Sequence, residues 1–421
     1  IFIVFVIATV LVIFGFRINV FISNRIKKTS IFEEYYVDAK SANITYPEEK
    51  RNLIIIIAES MENTVLSKEN GGTWDIPIVP ELEKLALDNV NFSNTSKIGG
   101  ANQTYGANYS VAGTVAITSG IPLKTGDILT NKETYLEEGK YLSGAYTLGE
   151  ILAMQGYNLE IMLGSDSTFG GRKQYFETNG NYKVFDVNYA IQQGKMTENE
   201  KEWWGFEDDK LFQWSKEEIT NLAKQGSPFN YIMVTADTHF VDGYLSKNAE
   251  KKFDSQYENV YAYSSKSINE FVEWLKRQDF YENTTIVILG DHLGMQTDFY
   301  KQKMEDNYDR TIFNVIINGV IEAKNNKNRI FTSMDMYPTI LASIGIKIEG
   351  ERLGIGTNLY SGEPTLAELK GLEAFNDEIS RKSDWYNKHI LGDDYYVMKK
   401  NTQKESEVKN EENINNNTSI Q

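Results

Sequence analysis

Glu59, Asp291, His292 and His239 stand at or just beyond the ends of apolar runs, where an α/β enzyme gathers its ligands. Glu59 closes Leu53-Ile54-Ile55-Ile56-Ile57-Ala58, and Gly290-Asp291-His292 closes Thr284-Thr285-Ile286-Val287-Ile288-Leu289. The chain has three histidines, so two at such exits is a concentration worth explaining. Two carboxylates and one imidazole form a donor set suited to Zn²⁺ or Mn²⁺. These residues point to a metalloenzyme.

A nucleophile is available in Gly106-Ala107-Asn108-Tyr109-Ser110-Val111-Ala112-Gly113-Thr114-Val115-Ala116-Ile117-Thr118-Ser119-Gly120. Ser110 precedes a run of small residues that reads as a short helix, so its hydroxyl meets the positive helix end and the free N–H groups beside it. A bound cation can stabilise a serine alkoxide without a protein base, whereas an unassisted serine is a poor nucleophile. Alternatively Ser110 only caps the helix. Thr114, one turn on, and Thr104 are rival hydroxyls. Arg172 follows Gly170-Gly171, whose freedom lets backbone approach a ligand, and its planar fork suits a phosphate oxygen. Arg310 and Arg352 are further candidate anion contacts. His239 can move a proton if it faces substrate, and is otherwise structural. His389, in Trp385-Tyr386-Asn387-Lys388-His389, reads as surface.

Positioning these groups falls to strands expected at 53–58, 157–163, 230–234, 284–289 and 313–317, alternating with helices that include 80–89, 111–119, 146–155, 257–277 and 335–343. Such alternation predicts an α/β fold with a mainly parallel sheet covered on both faces. Absence of cysteine excludes disulfides and thiol nucleophiles. A net charge of −16 argues against a nucleic-acid partner bound through its phosphates. An anionic substrate needs a local cationic site.

Residues 1–22 form an apolar run broken by Arg17, close to the roughly 20 residues that cross a bilayer. The run predicts a transmembrane helix, the last of a truncated array, because it has no cationic n-region or cleavage site. Arg25, Lys27 and Lys28 then place the following domain in the cytoplasm by the positive-inside rule. Residues 23–51 read as a linker, 52–365 as the catalytic domain, 366–398 as a C-terminal subregion and 399–421 as a disordered polar tail.

Taken together, Ile57-Ala58-Glu59-Ser60, Tyr109-Ser110-Val111-Ala112-Gly113 closing on Ser119-Gly120-Ile121-Pro122, Thr235-Ala236-Asp237-Thr238-His239-Phe240 and Gly290-Asp291-His292 resemble the sulfatase-like branch of the alkaline phosphatase superfamily. The likeness is strongest to membrane-anchored phosphoglycerol transferases, such as lipoteichoic acid synthase and enzymes that modify periplasmic glucans. It covers about residues 50–365, including Ser333-Met334-Asp335-Met336-Tyr337-Pro338-Thr339 and Gly354-Ile355-Gly356-Thr357-Asn358-Leu359. The resemblance implies one divalent metal among Glu59, Ser110, Asp291 and His292, with Mn²⁺ preferred over Mg²⁺ and Zn²⁺. It implies Ser110 as nucleophile, because Ser119-Gly120 follow it at the family's spacing, His239 beside the substrate, and Arg172 on a phosphoglycerol head group. It further implies a phosphatidylglycerol donor, a polyglycerolphosphate, glycolipid or glucan acceptor, and a membrane-held extracytoplasmic domain, opposite to the side given by the basic residues. Two departures stand out. These transferases usually carry threonine where Ser110 stands. Sulfatases carry a cysteine there, followed by proline and arginine where this chain has Ala112 and Thr114, which disfavours sulfate-ester cleavage. A phosphoethanolamine transferase, a phosphodiesterase using water, and a silent scaffold are the rival classes.

Overall fold

The computed structural model describes residues 27–124 and 140–392. The membrane helix expected at 1–22 and the tail at 399–421 lie outside the described residues. Among the described residues no helix is long and apolar enough to cross a membrane.

In chain order the elements that matter here are β1 (Asn52–Ala58), α1 (Pro80–Asp88), α2 (Ser110–Ser119), α3 (Leu148–Met154), β2 (Asn158–Leu163), α4 (Arg172–Thr178), β3 (Lys183–Phe185), α5 (Asp208–Ala223), β4 (Phe229–Val234), α6 (Gln256–Leu275), β5 (Thr284–Gly290), β6 (Asn314–Ile317) and α7 (Met336–Ser343). Six strands form one sheet in the order β3-β2-β4-β1-β5-β6. All neighbours run parallel except β5 and β6. The sheet is therefore mainly parallel, as the alternation of apolar runs requires.

Every residue of β1 is buried. Its side chains alternate: Leu53, Ile55 and Ile57 join α2, α3 and α7 in one core, while Ile54, Ile56 and Ala58 join α1, α5 and α6 in the other. A strand covered on both faces reads as an unbroken aliphatic run, which is why β1 and β5 stand out in the sequence. β3 was not anticipated. It is a three-residue edge strand whose exposure falls from Lys183 to Phe185, too short to show a period.

Residues 27–51, expected to be a linker, carry a short helix at Ile31–Tyr35 whose Ile31 and Phe32 are buried, and Ile44–Thr45 pairs with Lys347–Ile348. Ile31, Phe32 and Ala39, with Tyr36, Val37 and Ile44 packed beside them, dock this stretch on the core that also takes Phe375, Ile379 and Tyr386 from beyond residue 365.

α2 is buried along its whole length after Ser110, and ends at Gly120 in the left-handed conformation with φ 66°. Small side chains bring it against the turn after β5. A Cβ added to Gly113 would stand 2.1 Å from the carbonyl oxygen of Asp291. Gly113→Ala must therefore push α2 off the sheet. We expect a loss of about 1–3 kcal/mol in chemical denaturation, as for an overpacked core, and wild-type stability would contradict this packing.

Candidate active site

Three strand exits converge at one point. Beyond β1 the Glu59 N–H donates to Thr235 Oγ1 at 3.0 Å, and the Glu59 carbonyl accepts from Thr238 Oγ1 at 2.6 Å, so the segment after β4 clamps Glu59 from both sides. Ser60 adopts a left-handed φ of 56°, which turns its N–H onto Asp291 Oδ1 at 2.9 Å. The same oxygen accepts the His292 N–H at 2.9 Å. Asp291 Oδ2 is buried without a hydrogen-bond partner.

A buried carboxylate oxygen without a hydrogen bond is costly, and a cation is the partner that chemistry supplies. Glu59, Asp291 and His292 offer ligand atoms within 4.8 Å of one another. His292 Nδ1 lies 2.8 Å from the Leu293 carbonyl, which fixes that nitrogen as the N–H and leaves Nε2 facing Glu59 Oε1 at 3.3 Å and Asp291 Oδ2 at 3.5 Å. A backbone carbonyl orienting an imidazole in this way is the usual second support of a metal-binding histidine.

Electrostatics agree. Burial, and then the Glu59 charge, push Asp291 up to about 7. Burial also opposes charge on Glu59, but the hydrogen bond and charge of His292 hold it down at about 2. Burial works against charge on His292 too, yet Asp291 and Glu59 raise it to about 10. Each carboxylate makes the other's charge more costly, and both favour positive charge at the point Nε2 faces. The residues fit a divalent cation.

Ser110 completes the cluster. As the first residue of α2 it directs Oγ at Glu59 Oε2, 2.9 Å away, and lies 3.3 Å from His292 Nε2. No side chain caps this helix, so the hydroxyl faces the ligands rather than the helix N–H groups. Thr114 Oγ1 is spent on the Ser110 carbonyl at 2.8 Å, and Thr104 Oγ1 is buried without a hydrogen bond to any of these groups.

Arg172 opens α4 beside this point. Its guanidinium donates to Ser165 Oγ at 2.9 Å and to the Asp166 carbonyl at 3.0 Å. Gly170 and Gly171 both take left-handed φ, 66° and 74°, and a Cβ on Gly170 would stand 2.7 Å from Val111 Cγ2. The glycine turn thus packs on the first turn of α2, and the charges of Glu59 and Asp291 act on Arg172. His239 lies outside the ligand cluster, half-buried, its ring edge-on to Trp204 at 4.7 Å and stacked on Phe240 at 4.9 Å. Its charge also acts on Glu59.

The other candidates go elsewhere. Arg310 forms a two-pronged pair with Glu62 and donates to the Gly294 carbonyl at 2.7 Å, which steadies the loop after His292. Arg352 reaches the Pro364 carbonyl, and His389 stacks on Trp385. Ser60, Thr235 and Thr238 stand in the motifs quoted above, but the sequence assigns them no role. They act through backbone contacts made only after the chain turns, and apolar periodicity carries no signal of them.

The Sulfatase family model matches residues 51–346. Phosphoglycerol transferase I of Escherichia coli O127:H6 is 27% identical over 345 residues, covering 79% of this chain and 41% of the relative. The Citrobacter koseri protein of that name is 27% identical over 351 residues, covering 80% and 42%. The chain thus spans about two fifths of the length of these curated relatives. The lipoteichoic acid synthase LtaP from Listeria monocytogenes superposes with a TM-score of 0.58 at 18% identity, covering 76% of this chain and 79% of that one. An alkaline phosphatase superfamily protein from Vibrio parahaemolyticus gives 0.55 at 20% identity, covering 79% and 76%. The chain belongs to the sulfatase family, and it shares the fold of these two solved structures.

Mn²⁺ at 100 times its dissociation constant should stabilise the protein by about 2.7 kcal/mol, read as a rise in the melting temperature. Asp291→Asn, which keeps shape but removes charge, should abolish that rise. An equal rise in the variant would place the ion elsewhere.

Proposed function

We propose that this member of the sulfatase family transfers phosphoglycerol from phosphatidylglycerol to an acceptor hydroxyl through a covalent glycerophospho-serine at Ser110. The observation that carries the reading is the Ser110 hydroxyl, 2.9 Å from Glu59 Oε2 and 3.3 Å from His292 Nε2 at the start of a buried helix. The names of the relatives at 27% identity supply the transferred group.

Glu59, Ser110, Asp291 and His292 would hold one divalent metal, with Mn²⁺ preferred to Mg²⁺ or Zn²⁺. When bound, such an ion supplies stabilisation of the serine alkoxide and of charge on the phosphoryl oxygens. Ser110 Oγ, its proton already lost to solvent, attacks phosphorus. The bond from phosphorus to the diacylglycerol oxygen breaks, and His239 protonates that oxygen. Arg172 and the N–H groups of the first turn of α2 hold the non-bridging oxygens, where charge grows during in-line displacement. In the second half an acceptor hydroxyl gives its proton to His239 and attacks phosphorus, releasing Ser110. The catalytic domain would work outside the cytoplasm, held at the cell membrane.

A phosphoethanolamine transferase would share the metal site. The preference for phosphoglycerol rests on the relatives' names and on a chain with three histidines and no cysteine.

Ser110→Ala should lower diacylglycerol release from labelled phosphatidylglycerol by at least about a thousandfold, in line with loss of a covalent nucleophile. It should also remove the phosphoglycerol adduct seen on the intact chain by mass spectrometry. A variant that released diacylglycerol at the wild-type rate would exclude Ser110.

A further inference from the structure

Glu62 is fully buried and takes no part in the ligand cluster, although it lies three residues past Glu59. Each of its oxygens accepts two hydrogen bonds. Oε1 takes the Thr64 hydroxyl and, at 2.9 Å, Arg310 Nε; Oε2 takes Arg310 Nη2 and, at 2.8 Å, the Gly294 N–H. A buried ion pair adds little stability over apolar side chains of the same size, because both charges must be stripped of water. What the pair touches accounts for it better.

The point of contact is the peptide group between Leu293 and Gly294. Its N–H donates to Glu62 Oε2, and its carbonyl accepts the His292 Nδ1–H at 2.8 Å. Because the peptide is planar, aiming one end aims the other. Arg310 reaches past the carboxylate to the Gly294 carbonyl at 2.7 Å, and Gln103 Oε1 accepts the Leu293 N–H at 2.8 Å.

This clamp is tied to the other half of the site. The Arg310 guanidinium lies 4.3 Å from the centre of the Tyr300 ring, whose hydroxyl is 2.6 Å from that of Tyr261. Tyr261 in turn donates to the Ser60 carbonyl at 2.9 Å. A Cβ on Gly294 would stand 1.7 Å from the Tyr300 hydroxyl, so the turn closes on that ring with no room for a side chain. Glu62 bridges Ile312 in antiparallel fashion, and the Met61 carbonyl accepts the Phe313 N–H at 3.1 Å, which fixes the backbone that carries the carboxylate.

We infer that Glu62 and Arg310 are positioning residues for His292. Through the Leu293–Gly294 peptide they hold the imidazole with Nδ1 protonated and Nε2 aimed at the ligand cluster, and so set the affinity of the site for a divalent cation. The inference rests on Glu59, Asp291 and His292 being a metal site, and is independent of the group transferred. The carboxylate also polarises the peptide, since hydrogen bonds in a chain strengthen one another in a dry setting. A stronger carbonyl acceptor makes Nε2 the better electron donor. The arrangement is a carboxylate–histidine pair with one peptide inserted.

The test compares Mn²⁺ affinity with stability in the full chain, reading free Mn²⁺ from its paramagnetic resonance signal and melting in metal-free buffer. Glu62→Gln, which keeps shape and removes charge, should weaken Mn²⁺ binding by about tenfold or more, the range for outer supports of a metal ligand. Leu275→Ala is the control, in the second core at the end of α6 that leads into β5 rather than out of it. It should lower the melting temperature and leave Mn²⁺ affinity at the wild-type value. Should Glu62→Gln not fold, Arg310→Lys carries the test in the same direction, because it keeps the charge and loses the two-pronged grip. Wild-type affinity in the folded variant, or an equal loss in Leu275→Ala, overturns the inference.

A second measurement needs no metal. The chain has three histidines, so nitrogen-15 histidine spectra can assign the His292 Nδ1–H by its loss in His292→Gln. That proton should exchange with water at least about tenfold faster in Glu62→Gln than in the wild type, as a loosened local contact does. Unchanged exchange overturns the inference. If the wild type bound no Mn²⁺ while the exchange difference held, the metal-site reading would fall and the hold on His292 would stand.

Discussion

Two carboxylates, Glu59 and Asp291, are buried within reach of one another at adjacent strand exits, and the rest of the site is arranged around that repulsion. Like charges this close in a dry setting do not persist unless positive charge sits between them. His292 provides part of the answer through Nε2, 3.5 Å from Asp291 Oδ2, and the lack of any hydrogen bond to that oxygen shows where more is needed. The neighbouring sequence follows from this need. Ser60 accepts a left-handed backbone so that its N–H can serve Asp291, and Gly113 gives up a side chain so that α2 can bring Ser110 to the same point.

The scaffold is rigid where the ligands attach. Glu59 leaves a strand buried on both faces and is gripped through its own backbone by Thr235 and Thr238. Asp291 and His292 leave the neighbouring parallel strand, so register between β1 and β5 sets their spacing. Arg172, at the start of α4, and His239, on a loop, sit at the mouth beside exposed aromatic residues. The division is physically sensible: groups that hold charge are set in the core, and groups that meet a varied substrate are set at the rim.

Much of this was legible in the chain. Unbroken aliphatic runs marked β1 and β5 to within one residue, because parallel strands covered on both sides cannot alternate. Glu59, Asp291 and His292 were readable as residues placed just past those runs. Ser110 was harder, since Thr114 lies one helical turn away and only the folded helix shows that Thr114 Oγ1 bonds back to the Ser110 carbonyl. Trp203-Trp204 went unread, although two adjacent indoles in a polar stretch are a visible signal. Pairings such as Asp208 with Asp237 join α5 to a loop 28 or 29 residues on, and nothing local announces them.

The central claim is that four side chains from three segments share one cation. Crystals grown with Mn²⁺ and measured at its absorption edge test it directly. The account predicts a single anomalous peak in contact with Glu59, Ser110 Oγ, Asp291 Oδ2 and His292 Nε2. A peak bound elsewhere, or density at this point that leaves Asp291 Oδ2 uncoordinated, would contradict it.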